Sequence, residues 1–371
     1  MTEPEDRRRF LSHAVVASAL PLAGLASRAN QQADPSADGE IGEMITPETQ
    51  RAIDEGLRFL ARTQNRNPEG SFGERDEFRG NVAITSLAGL ALMSAGHHPG
   101  RGEFAENVQR AADYVGRREQ KSPVGFLHNE FNNRQAGMYD HGFGTLFLAE
   151  VYGTVADRDQ QRKLHGTIER AIRLIETTQN REGGWRYDPS PASADISVTI
   201  CQIMALRAAR NAGFAVSRQS VDQCLKYVRS CQNLDGGYTY YSGQGGSAFA
   251  RSAAGLVALY SAGVYEGKEI DRTLRYMMQF KPNLPLARRE VPEMHWYYGQ
   301  YYAAQAMWTA ALRTPRYWNE WFPTLRDELL LRVRGQRDGA WNDPAMGRHY
   351  ATAMALVMLQ IPNGYLPILQ K

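Results

Sequence analysis

Two kinds of helical stretch alternate along this chain. One kind has a single apolar face and falls near residues 48–63, 104–119, 160–178, 217–231, 267–279 and 318–335. Arg51, Asp54, Glu55 and Arg58 in the first of these mark a solvated side, as do Arg326, Asp327, Glu328, Arg332 and Arg334 in the last. The other kind is apolar almost all round and falls near 80–95, 140–152, 195–212, 247–262, 295–313 and 348–360, the run from Val82 to Met93 being typical. A helix apolar on every side must be buried on every side. Six such helices alternating with six amphipathic ones predict an all-α fold, an α6/α6 toroid with an inner ring wrapped by an outer ring.

The joints between outer and inner stretches repeat. They read Gln64, Gly70, Phe72; Gln120, Gly125, Phe126; Gln179, Gly183, Trp185; Gln232, Gly236, Tyr238; and Gln336, Gly339, Trp341. A decayed copy stands at Gln279, Phe280, Lys281 and Pro282. The glutamines recur 47–59 residues apart, enough for two helices and their turns, which is the mark of a repeat architecture. Gly96, Gly153, Gly213 and Gly263 follow inner stretches and are expected to close them in the left-handed conformation. Pro315 stops the fifth instead.

A Gln, a glycine turn and an aromatic between paired helices resemble the QW repeat of squalene–hopene and oxidosqualene cyclases. The β subunits of protein prenyltransferases share that α/α toroid. The resemblance covers nearly all of the chain after its N-terminal segment. It implies that the Gln caps a helix end and packs on the aromatic, most effectively in Gln179 with Trp185 and Gln336 with Trp341, and not at Gln279. These residues are therefore read as structural; a repeat specifies a fold better than an activity.

Composition narrows the setting. Apolar residues make up 43% of 371 and the formal charge is +3, with Arg and Glu interspersed, so no nucleic-acid partner is expected. No apolar run is long enough for a transmembrane segment. Cys201, Cys224 and Cys231 are too few for a disulfide framework and are expected as buried thiols. Residues 1–29 read as an export signal: Arg7, Arg8 and Arg9 precede an apolar stretch from Ala14 to Ala26 and small residues follow. The paired arginines before Phe10 and Leu11 resemble a twin-arginine signal, with Asp6 where Ser or Thr is usual. Residues 30–46 then form a polar linker, 47–371 the toroid, and the protein is expected in the periplasm or outside the cell.

With this wiring every inner helix starts at one mouth, where helix N-termini favour anions. Equivalent positions there are Arg79, Asp140 with His141, Asp195, Arg251, His295 with Trp296 and Tyr298, and His349 with Tyr350. Asp140, Asp195 and His141 are the candidate catalytic groups. The others are candidate ligand contacts. Asp140 and Asp195 also sit where a helix N-cap is expected. Trp296, Tyr298 and Tyr301 either line a cavity or plug it.

The resemblance implies proton-initiated cyclisation only where an Asp-x-Asp-Asp cluster supplies a strong acid. Here the comparable helix start, residues 193–197, holds Asp195 alone. A lone Asp at a helix N-terminus is expected to have a lowered pKa and to be a poor general acid. The prenyltransferase zinc motif, Asp-x-Cys, is absent; His141, His295 and His349 with Asp140 or Asp195 leave a zinc site open without a spacing signature. The leading reading is a protein that binds an apolar or isoprenoid-like ligand, with an anionic head suited to the mouth, and that has lost the cyclase acid. The alternatives are a metal-assisted transferase, a carbohydrate-active toroid enzyme using Asp140, Asp195 and Arg251, and a repeat scaffold for a protein partner.

Overall fold

In the computed structural model the described residues are 44–66, 69–130, 137–285, 291 and 295–370. The expected export signal and nearly all of the linker lie outside them. Among the described residues twelve α-helices fall within a few residues of the predicted stretches. The outer ones are α1 (Pro47–Thr63), α3 (Ala105–Gly116), α5 (Arg158–Thr178), α7 (Arg218–Ser230), α9 (Lys268–Met278) and α11 (Arg316–Val333). The inner ones are α2 (Val82–Met93), α4 (Gly137–Tyr152), α6 (Ile196–Asn211), α8 (Phe249–Ser261), α10 (Trp296–Ala310) and α12 (Arg348–Leu359). Successive inner helices pack side by side, and α12 returns to pack on α2, so the ring closes. Outer helices lie across the seams, α1 touching both α12 and α2, for example. That placement explains the patterning: every residue of α2 except Ala83 is buried, whereas α1 buries one face. No helix of the described residues is long and apolar enough to cross a membrane.

The repeated joint stitches the ring in three ways. The aromatics Phe72, Trp185, Tyr238 and Trp341 are fully buried. Each donates its backbone N–H to a hydroxyl on its inner helix: Thr85 at 2.9 Å, Thr199 at 3.1 Å, Ser252 at 2.9 Å and Thr352 at 3.0 Å. Secondly, the turn glycines press against the next outer helix. A Cβ on Gly70, Gly125, Gly183 or Gly236 would lie 2.3, 2.5, 2.2 or 2.4 Å from a carbonyl oxygen of Arg110, Arg170, Gln223 or Arg272. Thirdly, the glutamines reach across the same seam. Gln64 donates to Gly70 O and Asn107 O, both at 3.0 Å, and Gln179 to Gly183 O at 2.8 Å and Ser220 O at 2.9 Å.

Gln336 departs from expectation: it is exposed and makes no side-chain hydrogen bond among the described residues. Arg62, donating to Asp338 O at 3.1 Å, ties that joint to α1 instead. Gln179→Ala is therefore expected to cost about 2 kcal/mol, two part-buried hydrogen bonds at roughly 1 each, and Gln336→Ala almost nothing. Urea denaturation of both variants checks this, and equal losses would contradict it. Gly96, Gly213 and Gly263 adopt the left-handed conformation as expected, but Gly153 does not. The connection after α3 also carries a two-stranded antiparallel hairpin, β1 (Glu119–Lys121) and β2 (Val124–Leu127). The three cysteines are buried, free thiols.

At the end where inner helices finish, the chain after α12 folds back over the barrel. Leu366, Ile368 and Leu369 are buried, and Trp308 donates to Leu369 O at 2.9 Å. Beneath this segment Glu150 of α4 is buried, and burial raises its pKa to about 8 against the pull of the Ile368 backbone and Arg207. The open mouth is the opposite end.

Candidate functional site

The first turns of all six inner helices surround a chamber with two lobes. The larger, of about 300 Å³, is walled by Ile84 and Leu87 of α2, Phe143 of α4, Met354 of α12, and Tyr139, Tyr298 and Tyr350. The smaller, of about 280 Å³, is walled by Tyr187, Ser197, Tyr240, Phe249 and Arg251. Tyr139, His295 and Tyr298 belong to both and stand between them. Burial holds the phenols of Tyr139, Tyr298 and Tyr350 well above their ordinary pKa, so the chamber presents neutral hydroxyls on an apolar wall. Tyr298 donates to Ser197 O at 3.1 Å, which pins it to α6. Tyr298 thus walls both lobes, and Tyr301 lies deeper, edge-on to Phe143.

Five of the candidate residues meet at this chamber: Asp140, Arg251, His295, Tyr298 and Tyr350. Asp140 is not the cap of its own helix, as expected, but lies inside the first turn of α4. One carboxylate oxygen accepts from Ala83 N of α2 at 3.0 Å, capping the neighbouring helix, and the other meets His128 Nδ1 at 2.8 Å. Both members of that pair are buried.

The remaining candidates do not reach the chamber. His141 is fully buried with both ring nitrogens used: Nδ1 accepts from Leu127 N and Nε2 donates to Ala171 O, each at 3.1 Å. Burial lowers its pKa to about 4, so the ring is a neutral brace, filling in the second unit the place of the joint hydroxyl elsewhere. His349 does the same at the ring closure, accepting from Gly73 N at 3.0 Å and meeting Thr63 Oγ1 at 2.9 Å. Burial, helped by the Arg348 charge, lowers it to about 4. Neither lines either lobe. Trp296 faces away from the chamber, beneath the Arg332 guanidinium, 3.8 Å from its ring centroid. Arg79 is exposed and lines neither lobe. The imidazoles and carboxylates considered for zinc are not brought together; no group of three such residues forms among the described residues.

Asp195 caps α6 as expected, Oδ1 accepting from Ser197 N at 2.9 Å and Val198 N at 3.0 Å. Its expected low pKa is overturned. The residue is fully buried behind Tyr240, and burial outweighs the two N–H groups, raising the carboxyl from 3.8 to about 6. Oδ2 has no hydrogen-bond partner; the Tyr240 hydroxyl lies close enough to ease the anion but is bonded to the Tyr187 hydroxyl. Because the native pKa exceeds the unfolded one, the folded state binds the proton more tightly. Stability then falls as pH rises from 3.8 to about 6 and stays reduced above it. Asp195→Asn keeps the capping oxygen and removes the charge. It is expected to be more stable than the parent at pH 7.5, by roughly 3 kcal/mol, with the gap closing near pH 4. Equal urea midpoints at both pH values would refute this.

Sequence reading missed His128, Tyr187 and Tyr240. Each stands two residues after its joint aromatic, Phe126, Trp185 or Tyr238. In extended chain, alternate residues share a side, so unit-by-unit alignment at that position was the available signal.

The chain belongs to the prenyltransferase alpha-alpha toroid domain family, whose model matches residues 52–283. It is similar to a drimenyl diphosphate synthase of Streptomyces showdoensis, 27% identical over 183 residues, which is 49% of this chain and 31% of that protein. The chain therefore spans about a third of the length of the curated relatives it matches. A type II terpene cyclase from Scytonema, solved with geranylgeranyl dihydroxybenzoate as substrate, superposes with a TM-score of 0.58 and 12% identity, covering 89% of this chain and 100% of that one. A cellobiose 2-epimerase from Spirochaeta thermophila gives 0.62 and 14%, covering 90% and 98%. At these identities the superpositions speak to the fold alone, a toroid shared with a terpene cyclase and a carbohydrate epimerase alike.

Proposed function

We propose that the protein binds an apolar, isoprenoid-like ligand in the chamber at the mouth of the toroid and does not carry out proton-initiated cyclisation. The observation that carries this reading is the larger lobe, whose wall is Ile84, Leu87, Phe143, Met354 and tyrosine faces. Its volume, about 300 Å³, is at the lower end of the range of about 300–1,000 Å³ for small-ligand sites. Against cyclisation, Asp195 lines neither lobe and, at a pKa of about 6, is far too weak an acid to protonate an alkene. Against glycoside chemistry, Asp140 is held by Ala83 N and His128 and, among the described residues, has no second carboxylate beside it in the chamber. Export is inferred from the Arg7 to Ala26 segment alone.

Farnesol and geranylgeraniol titrated into the protein are expected to quench tyrosine and tryptophan fluorescence saturably and to appear as adducts in native mass spectra. Leu87→Trp, which fills the larger lobe, is expected to weaken binding by at least about 10-fold, the loss of roughly 1.4 kcal/mol or more of contact. Binding unaffected by Leu87→Trp, or competed by cellobiose and not by farnesol, would sink this reading.

A further inference from the structure

At the end of the barrel remote from the mouth, the α8–α9 and α10–α11 connections meet at a separate cleft of about 180 Å³. Its walls include Tyr260 of α8, Tyr265 of the connection that follows, Ile270, Asp271 and Leu274 of α9, and Tyr317 of α11. The rings of Tyr260 and Tyr265 stack, with centroids 5.8 Å apart and planes 12° from parallel. Tyr260, Ile270 and Leu274 are buried, whereas Tyr265 and Asp271 are exposed, so the cleft runs inward from the surface.

Two polar groups of this cleft are left without partners. The Tyr260 hydroxyl is shielded from solvent and makes no hydrogen bond among the described residues. Tyr317, Asp271 and Arg313, whose charges act on that hydroxyl, all line the cleft, so the hydroxyl is directed into it. Asp271 makes no ion pair among the described residues. Its place in the first turn of α9 suits a carboxylate on helix-dipole grounds. That turn already holds Glu269, however, and a dipole role leaves the Tyr260 hydroxyl unexplained. Arg313, which also lines the cleft, is paired with Glu266 at 3.1 Å. Two carboxylates, Asp271 and Glu266, thus face one guanidinium, and the charge left over is negative.

Phenol faces beside an unpaired carboxylate attract a cation, and a buried hydroxyl with unused lone pairs accepts from an N–H. A quaternary ammonium has no N–H to give, and an anion would meet Asp271. We propose that this cleft is a binding site for a primary ammonium ion on a short apolar stem. The ammonium pairs with Asp271 and donates to the Tyr260 hydroxyl, and the stem lies against Ile270 and Leu274. Entry to the hydroxyl is by rotation of the Tyr265 ring, which is exposed and stacked on Tyr260. The site is independent of the chamber.

n-Butylamine, charged at pH 7.5, is titrated into the full chain beside 1-butanol and tetramethylammonium, with saturation-transfer NMR as the readout. Butylamine is expected to bind about 10-fold more tightly than 1-butanol, the combined scale of one exposed ion pair and one cation–π contact. Tetramethylammonium is expected to bind more weakly than butylamine. Asp271→Asn is expected to weaken butylamine by about 3-fold or more and to leave 1-butanol within about 2-fold. Tyr260→Phe keeps the ring and removes the acceptor, so it is expected to weaken butylamine and leave tetramethylammonium unchanged. Thermal melts of both variants matching the parent exclude loss of fold as the cause. 1,4-Diaminobutane and Nα-acetyl-lysine N-methylamide then distinguish a free polyamine from a protein lysine as the source, the tighter naming it. Butylamine no tighter than either comparator, or unaffected by Asp271→Asn, would overturn the proposal. So would loss of butylamine binding in Leu87→Trp, because that result places the amine in the chamber.

Discussion

Trp185→Ala should lower the stability of the toroid by about 3–5 kcal/mol, the range for removing a fully buried tryptophan. Trp185 is entirely buried, and its indole N–H donates to Ile175 O of α5 at 2.7 Å. Its backbone N–H and O also meet Thr199 of α6, so one residue joins an outer helix, a turn and an inner helix. The alanine variant loses the ring and leaves the Ile175 carbonyl without that donor. Trp185→Phe loses mainly the hydrogen bond and should cost only about 1 kcal/mol. Chemical denaturation of the three proteins checks this through the shift in midpoint at constant slope. A loss below about 1 kcal/mol for the alanine variant would mean that the joint aromatic is not what ties the layers.

How much of this was readable without coordinates follows the range of the interactions. Helix positions were legible because apolar periodicity is local, and ring closure because the sixth joint repeats the first. The chamber was half legible. Arg251, Tyr298 and Tyr350 stand at helix starts and were found there, while Trp296 and Tyr297 show why neighbours were not separable. Consecutive helical residues point about 100° apart, so within a run of aromatics only the neighbouring helices decide which ring meets the cavity. Asp195 failed for a different reason. Its N-cap role is local and came out correctly, but its acidity is set by burial behind Tyr240, which belongs to the following unit.

The same distinction governs Asp140 and Arg186. Asp140 acts through Ala83 and His128, 57 and 12 residues away in sequence. Arg186 has meaning only once Tyr241, 55 residues on, closes over it. A repeat brings equivalent positions together in space, so the missing information lay in comparing units. The position two after the joint aromatic holds Tyr187 and Tyr240 in the third and fourth units, and both stand on the chamber wall.

The turn glycines provide the sharpest contrast between two roles of one residue type. Gly183→Ala is expected to cost more than about 3 kcal/mol, because left-handed backbone costs a side-chain residue about 1–2 kcal/mol and overpacking adds about 1–3. Gly183 has φ of 100°, and its Cβ would lie 2.2 Å from Gln223 O and 2.5 Å from Gln223 C, backbone atoms of α7 that cannot rotate aside. To relieve the clash, α7 must move off the third joint, taking with it the bond from Gln179 to Ser220 O. Gly213 is the matched control: its φ is 92°, but nothing lies within 4 Å of a Cβ there. Gly213→Ala therefore carries only the conformational cost of about 1–2 kcal/mol. Urea midpoints for the two variants separate the terms directly, and equal losses would show that the joint glycine serves its turn rather than the contact between units. Gly70, Gly125 and Gly236 meet the next outer helix in the same way. A large loss at Gly183 therefore predicts comparable losses at those three, since in each the absence of a Cβ is what lets one helix pair approach the next closely enough to complete the ring.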